Sequence, residues 1–198
     1  MVEISAKMVK ELREETGAGV LDCKQALEAC NGDFGQAATY LREKGMAAAA
    51  KRSTREATEG VIGSYIHAGS RAAALVEVNC ETDFVANTDQ FQELAHDLAM
   101  QVVAAKPLYL TQADVPASLV EEEKSVYRAQ MADSGKPEAI LDKIVEGKLA
   151  KFYEEICLME QPFIKDTAIT VRELVQQHNA LLGENIVVRR FARFEIGG

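Results

Sequence analysis

The 198-residue chain is predicted to be an α+β protein built in two parts. Three observations predict this. The first 45 residues carry apolar side chains only at helical spacing, the middle holds one pair of alternating segments around a glycine turn, and the end is a strand-like run of apolar and arginine residues.

Taken in order, Ser5 is placed to cap a first helix in which Val9 and Leu12 fall on one face. Thr16-Gly17-Ala18-Gly19 breaks that helix. A second runs from about Val20 to Cys30 and stops at Asn31-Gly32, a strong turn signal. Asp33 and Gln36 form a capping-box-like start for a third, which turns Ala37, Ala38 and Leu41 inward and is expected to end at Gly45. Three helices in so short a stretch make a small orthogonal bundle that resembles the ubiquitin-associated type. Residues 46–59 are alanine-rich, then charged, and read as a linker that could be helical, so a partner-binding module with its linker start is expected over 1–54 and an α+β core over 55–198.

In that core, Val61 to His67 alternates, turns through Ala68-Gly69-Ser70 and returns as Ala72 to Cys80, an antiparallel hairpin with Val76 and Val78 inward. The helix expected from Thr88 to Ala105 puts Phe91, Leu94, Ala95, Leu98 and Val102 on one face, against which the hairpin can bury its own. Beyond Pro107, charged segments from Ser118 to Asp133 and from Pro137 to about Leu158, parted by Ser134-Gly135-Lys136, predict a projecting helical hairpin over about 116–158. A further helix over Thr170–Leu182 and a strand over Asn185–Ile196 complete the chain. That strand has no partner next to it in sequence. It either joins the chain's own hairpin or pairs with a second copy about a two-fold axis, and a homodimer through it is the expectation.

Charge and cysteines exclude several function classes. A net charge of -9 argues against direct nucleic-acid binding, which needs clustered Lys and Arg. There is no run of about eighteen apolar residues and the acidic start suits neither signal nor transit peptide, so a cytoplasmic protein is expected. Cys23, Cys30, Cys80 and Cys157 show no C-x-x-C pair, and no metal or cofactor is expected. Cys23 and Cys30, seven apart on one helix face, read as small core hydrophobes. His67, His96 and His178 lie on separate elements without a nearby nucleophile, so no enzymatic triad is expected. A thiol enzyme built on Cys80 would lack a neighbouring base to lower its pKa.

Two motifs carry the function. Val9-Lys10-Glu11-Leu12-Arg13 with Thr16-Gly17-Ala18-Gly19 and Asp22-Cys23-Lys24 is the first, and Glu77-Val78-Asn79-Cys80-Glu81-Thr82-Asp83-Phe84-Val85-Ala86-Asn87 is the second. Together they resemble the elongation factor Ts family in its short form, and Ile144-Val145-Glu146-Gly147-Lys148 and Gln161-Pro162-Phe163 extend the resemblance nearly end to end. The resemblance implies a non-enzymatic guanine nucleotide exchange factor for the GTPase elongation factor Tu. It implies that Thr82, Asp83, Phe84 and Val85 disturb the partner's magnesium and phosphate site, with Leu12, Val20, Leu21 and Asn87 among the partner contacts. From the residues alone, Phe84 either tips an outward loop or plugs the corner between strand and helix. Val20 and Leu21 are consecutive at a helix start, so at least one is expected to be exposed. A reading from another class is an adaptor whose helical module binds protein partners.

Overall fold

The computed structural model describes residues 4–131 and 137–197 and is α+β, as expected. The Ser134-Gly135-Lys136 turn lies outside the described residues. The chain forms two compact units, and neither is one continuous stretch. The first comprises Met1–Val61, Val78–Gln92 and Val175–Val188; the second comprises Ile62–Glu77, Glu93–Leu174 and Arg189–Gly198. The boundary expected at residue 54 falls inside the first unit.

In the first unit, α1 (Ala6–Thr16), α2 (Val20–Ala29) and α3 (Phe34–Arg52) share one core in which Leu12, Cys23, Ala26, Leu27 and Ala37 are fully enclosed. Their ends are specified locally. The Ser5 hydroxyl accepts the Met8 N–H at 3.2 Å, and the Asp33 carboxylate accepts the Gln36 N–H at 2.8 Å. Gly17 closes α1 in the left-handed region at φ 67°, and Asn31 and Gly32 come after α2 at φ 50° and 81°.

The third helix does not stop at Gly45. It runs on to Arg52, because Met46 to Ala50 are strong helix formers with nothing to break them. Gly45 serves packing instead, since a Cβ there would lie 2.9 Å from the Ala180 Cβ. Ala180 belongs to α8 (Val171–Leu182), whose last turns lie in this same unit. The Arg52 guanidinium donates to the Asn179 carbonyl at 2.9 Å and strengthens the contact.

The expected hairpin is present as β1 (Glu59–Ile66) and β2 (Ala72–Cys80), with Gly69 and Ser70 at positive φ in its turn. The second unit covers one face of it with α5 (Asp89–Ala105), whose Leu94, Ala95, Leu98 and Val102 are buried; Phe91 is fully buried in the first unit. Gly63 permits the close approach, because a Cβ there would sit 2.2 Å from the Ala95 carbonyl oxygen.

The last strand, β5 (Val187–Glu195), corrects an expectation. It is not without a partner, because the sheet order is β1-β2-β5. The Ile196 N–H bonds the Arg71 carbonyl at 2.8 Å and Arg190 pairs with Glu77 at 2.7 Å, so β5 runs antiparallel to β2. Once α8 returns the chain beside β2, joining that existing edge pairs one side of the β5 backbone within one molecule and leaves β5 as an edge of the three-stranded sheet.

The second unit also holds α6 (Ala117–Ala129) and α7 (Glu138–Ile156), packed together as the expected helical pair through Arg128–Asp142 at 3.2 Å and Lys148 over the Tyr127 ring. After them comes a two-stranded sheet of β3 (Pro162–Phe163) and β4 (Asp166–Thr170), an element too short for periodicity to reveal. Buried Gln101 anchors it, accepting the Ile164 N–H at 2.9 Å and donating to the Pro162 carbonyl at 3.2 Å.

Candidate functional site

Strand β2 ends at Cys80 with its side chain fully buried, so the chain must turn sharply to leave the sheet. Thr82 starts that turn in extended backbone at φ -132°, and its hydroxyl accepts the Val85 N–H at 3.4 Å. The chain then makes a single helical turn, α4 (Asp83–Ala86), where the sequence suggested a tight loop. A threonine cap ahead of Asp83, an acid in the first turn, explains it. Asn87 closes the other end by donating its side-chain amide to the Asp83 carbonyl at 2.8 Å. Ala86 is buried and Gln92 donates to its carbonyl at 2.8 Å, so the turn is seated from below.

This seating leaves Phe84 83% exposed, with Asp83 and Asn87 exposed beside it and Val85 half-buried. Phe84 therefore does not plug the corner. A phenyl ring held almost wholly in water on a capped turn gives the fold little and is available for a contact.

A second feature holds the turn. One oxygen of the Glu184 carboxylate accepts the backbone N–H groups of Glu81 and Thr82, both at 3.0 Å, and the other accepts the Thr82 hydroxyl at 2.6 Å. The Glu81 carboxylate in turn accepts the Asn185 N–H at 2.7 Å and lies 3.3 Å from Arg55. The Asn185 side chain reaches the Arg55 carbonyl at 2.8 Å and the Ser53 carbonyl at 3.4 Å. In the sequence Glu81 stands only as a member of the second motif and Asn185 only as the start of the last strand, and Glu184 carries no signal. Nothing local pairs Glu184 and Asn185 with residues about a hundred positions earlier.

At the start of α2, Val20 and Leu21 are 54% and 74% exposed, so both present apolar surface. Leu12 does not join them. It is completely buried in the three-helix core, where burying a leucine is favourable and nothing of it remains to touch a partner. Val20, Leu21, Asp83 and Phe84 all belong to the first unit.

The thiols are unsuited to nucleophilic work. Burial, reinforced by the Glu184 carboxylate, pushes the Cys80 thiol up to about 11, and burial with Glu160 and Asp114 does the same for Cys157. Both are protonated at neutral pH. Among the described residues no group of three or more His, Cys, Asp or Glu is arranged to hold a metal ion, and no helix is long and apolar enough to cross a membrane.

A family model described as "Elongation factor TS" matches residues 6–198. The chain is 57% identical over 196 residues to "Elongation factor Ts" of Herpetosiphon aurantiacus, covering 99% of both. It is 56% identical over 194 residues to that of Carboxydothermus hydrogenoformans, covering 98% of this chain and 89% of the relative. With that of Desulfosudis oleivorans it shares 53% identity over 197 residues and the whole of both chains.

Proposed function

The chain belongs to the elongation factor Ts family of translation factors, and from that we propose that it is a cytoplasmic guanine nucleotide exchange factor acting on the GTPase elongation factor Tu. Val20 and Leu21 hold the partner, and the Thr82–Val85 turn intrudes beside its nucleotide site. The observation that carries this reading is Phe84, 83% exposed on a turn whose backbone is fixed from both sides. No covalent step is needed. Magnesium bridges nucleotide phosphates to a P-loop hydroxyl and a carboxylate, so moving those ligands releases GDP and lets GTP reload.

Coupling is reciprocal, so whatever ratio the factor takes from nucleotide affinity, bound nucleotide takes from the factor's affinity. A ten-thousand-fold coupling needs about 5.5 kcal/mol of differential interaction. A single buried aromatic contributes about 2 to 4 kcal/mol, so contacts such as Val20 and Leu21 must hold the partner while Phe84 acts. Release of labelled GDP from elongation factor Tu tests the reading. An adaptor that only binds would leave that rate unchanged.

A homodimer belongs to the same proposal, on changed grounds. The Arg193 guanidinium donates to the Val103 carbonyl of α5 at 3.4 Å, so its neighbour Phe194 points away from that helix. Phe194 shares this outer sheet face with Ile62, Ile66 and Leu75, all exposed, and their alternation with buried Gly63, Ala74 and Val76 places them there. Two such faces packed about a two-fold axis would bury one another.

A further inference from the structure

We infer that Glu184 is a positioning residue for the exchange turn: its carboxylate fixes the backbone that presents Phe84 and thereby governs how fast nucleotide leaves, without touching the partner. The inference rests on the proposed exchange activity.

Three donors converge on this one side chain, two of them backbone N–H groups at 3.0 Å and one a hydroxyl at 2.6 Å. Charge-assisted bonds of this kind are about twice as strong as neutral ones. Thr82 is the cap of α4, so holding its N–H and hydroxyl sets both the entry angle of the turn and the rotamer that accepts the Val85 N–H. Phe84 lies within two residues of both Thr82 and Val85. The arrangement runs both ways, because Glu81 holds the Asn185 N–H and Asn185 holds the Arg55 carbonyl. The turn is thereby fastened to the segment after α8 and to the chain beyond α3, whose bundle carries Val20 and Leu21.

Helix stability does not account for Glu184. It stands two residues past the end of α8, where the helix dipole disfavours an anion. Neither does solvation, since the carboxylate is spent on internal donors. The placement removes freedom from the entry to a turn whose other supports, buried Ala86 with its Gln92 bond and the two side-chain caps, all lie within the turn or after it. A contact residue about 1 Å out of place loses much of its effect, which is why the support matters.

The experiment measures GDP release from elongation factor Tu over a range of factor concentrations, for Glu184→Ala, Glu184→Gln, Phe84→Ala and the Phe84→Ala/Glu184→Ala pair. Glu184→Ala should lower the maximal rate about tenfold while the half-saturating concentration stays within about threefold, the split expected of a group acting at the release step rather than in binding. Glu184→Gln, whose carbonyl still accepts the two N–H groups, should recover most of the rate. The double variant should be no slower than Phe84→Ala alone, because Glu184 acts through Phe84. Amide exchange at Glu81 and Thr82 should quicken in the alanine variant. A Glu184→Ala factor with the wild-type maximal rate, or a fully additive double variant, overturns the inference while leaving the exchange reading intact. A Phe84→Ala factor at wild-type rate instead shows that the ring does not act at the nucleotide site and defeats this inference with it, whereas a wild-type factor that leaves GDP release unstimulated defeats the exchange reading. Should circular dichroism show Glu184→Ala unfolded, Glu184→Asp, which keeps the charge but withdraws it by one methylene, replaces it with the same expected loss.

Discussion

Replacing Phe84 by alanine separates folding from function at one side chain. In the free chain the ring is 83% exposed, so its removal opens no cavity and should change stability by no more than about 0.5 kcal/mol, the usual range for surface substitutions. For a chain of this size that corresponds to about 1 to 2 °C in Tm. The contrast is Phe91, which is completely buried and should cost about 3 to 5 kcal/mol on the same substitution. The loss on exchange should be much larger than the loss of stability. A phenylalanine side chain offers about 150 Å² to bury, and nearly all of it is available here, so full burial against the partner is worth at most about 4 kcal/mol at ~25 cal/mol per Å². Ordering and partner adjustment reduce this, leaving about 1.4 to 2.7 kcal/mol, or one to two orders of magnitude in the stimulated rate. The assay is stopped-flow release of fluorescent GDP from elongation factor Tu, run beside thermal melts of both proteins. A variant with wild-type melting and wild-type exchange would show that the ring does not act at the nucleotide site.

The remaining expectations concern neighbouring parts of the molecule. Leu12→Ala should lose about 2 to 5 kcal/mol in urea unfolding because the side chain is enclosed, whereas Leu21→Ala should unfold as wild type yet raise the half-saturating concentration in exchange; an unchanged concentration would remove α2 from the contact. Gly17→Ala should destabilise by about 1 to 3 kcal/mol, since its φ of 67° disfavours a side chain and a Cβ would meet Leu181 Cδ1 at 2.3 Å; a neutral result would mean that α8 moves freely against α1. Light scattering at micromolar concentration should give twice the 21.6 kDa chain mass, and Phe194→Glu should give the single-chain mass; a wild-type monomer would sink the dimer. The Cys80 and Cys157 thiols have folded values of about 11 against 9.0 unfolded, so the stability they contribute is complete below about pH 9 and is lost as pH rises through 11. Thiolate absorbance for those two groups should therefore appear near pH 11 in the folded protein; titration near pH 9 before unfolding would contradict their burial.

The sequence by itself determined whatever depends on neighbours along the chain. Ser5 and Asp33 cap because an oxygen three residues before a helical N–H is within reach whatever surrounds it. Asn31-Gly32 and Gly69-Ser70 turn because they tolerate positive φ, and Leu94, Ala95, Leu98 and Val102 share a face because a helix repeats every 3.6 residues. The exposure of at least one of Val20 and Leu21 was legible for the same reason, whereas local pattern left Phe84 between a loop tip and a corner plug and only the family resemblance singled it out. Contacts distant in the chain were not. That Gly45 serves packing shows only in its approach to Ala180, and Leu12, a partner contact by the resemblance, proves enclosed once the bundle closes over it. β5 looked unpartnered until α8 returned it beside β2. Glu184 looked idle until folding brought it within 3.0 Å of Glu81 and Thr82. Loop closure over a hundred residues leaves no local pattern, so only the tertiary structure could decide which carboxylate holds the turn and which apolar side chains remain in water.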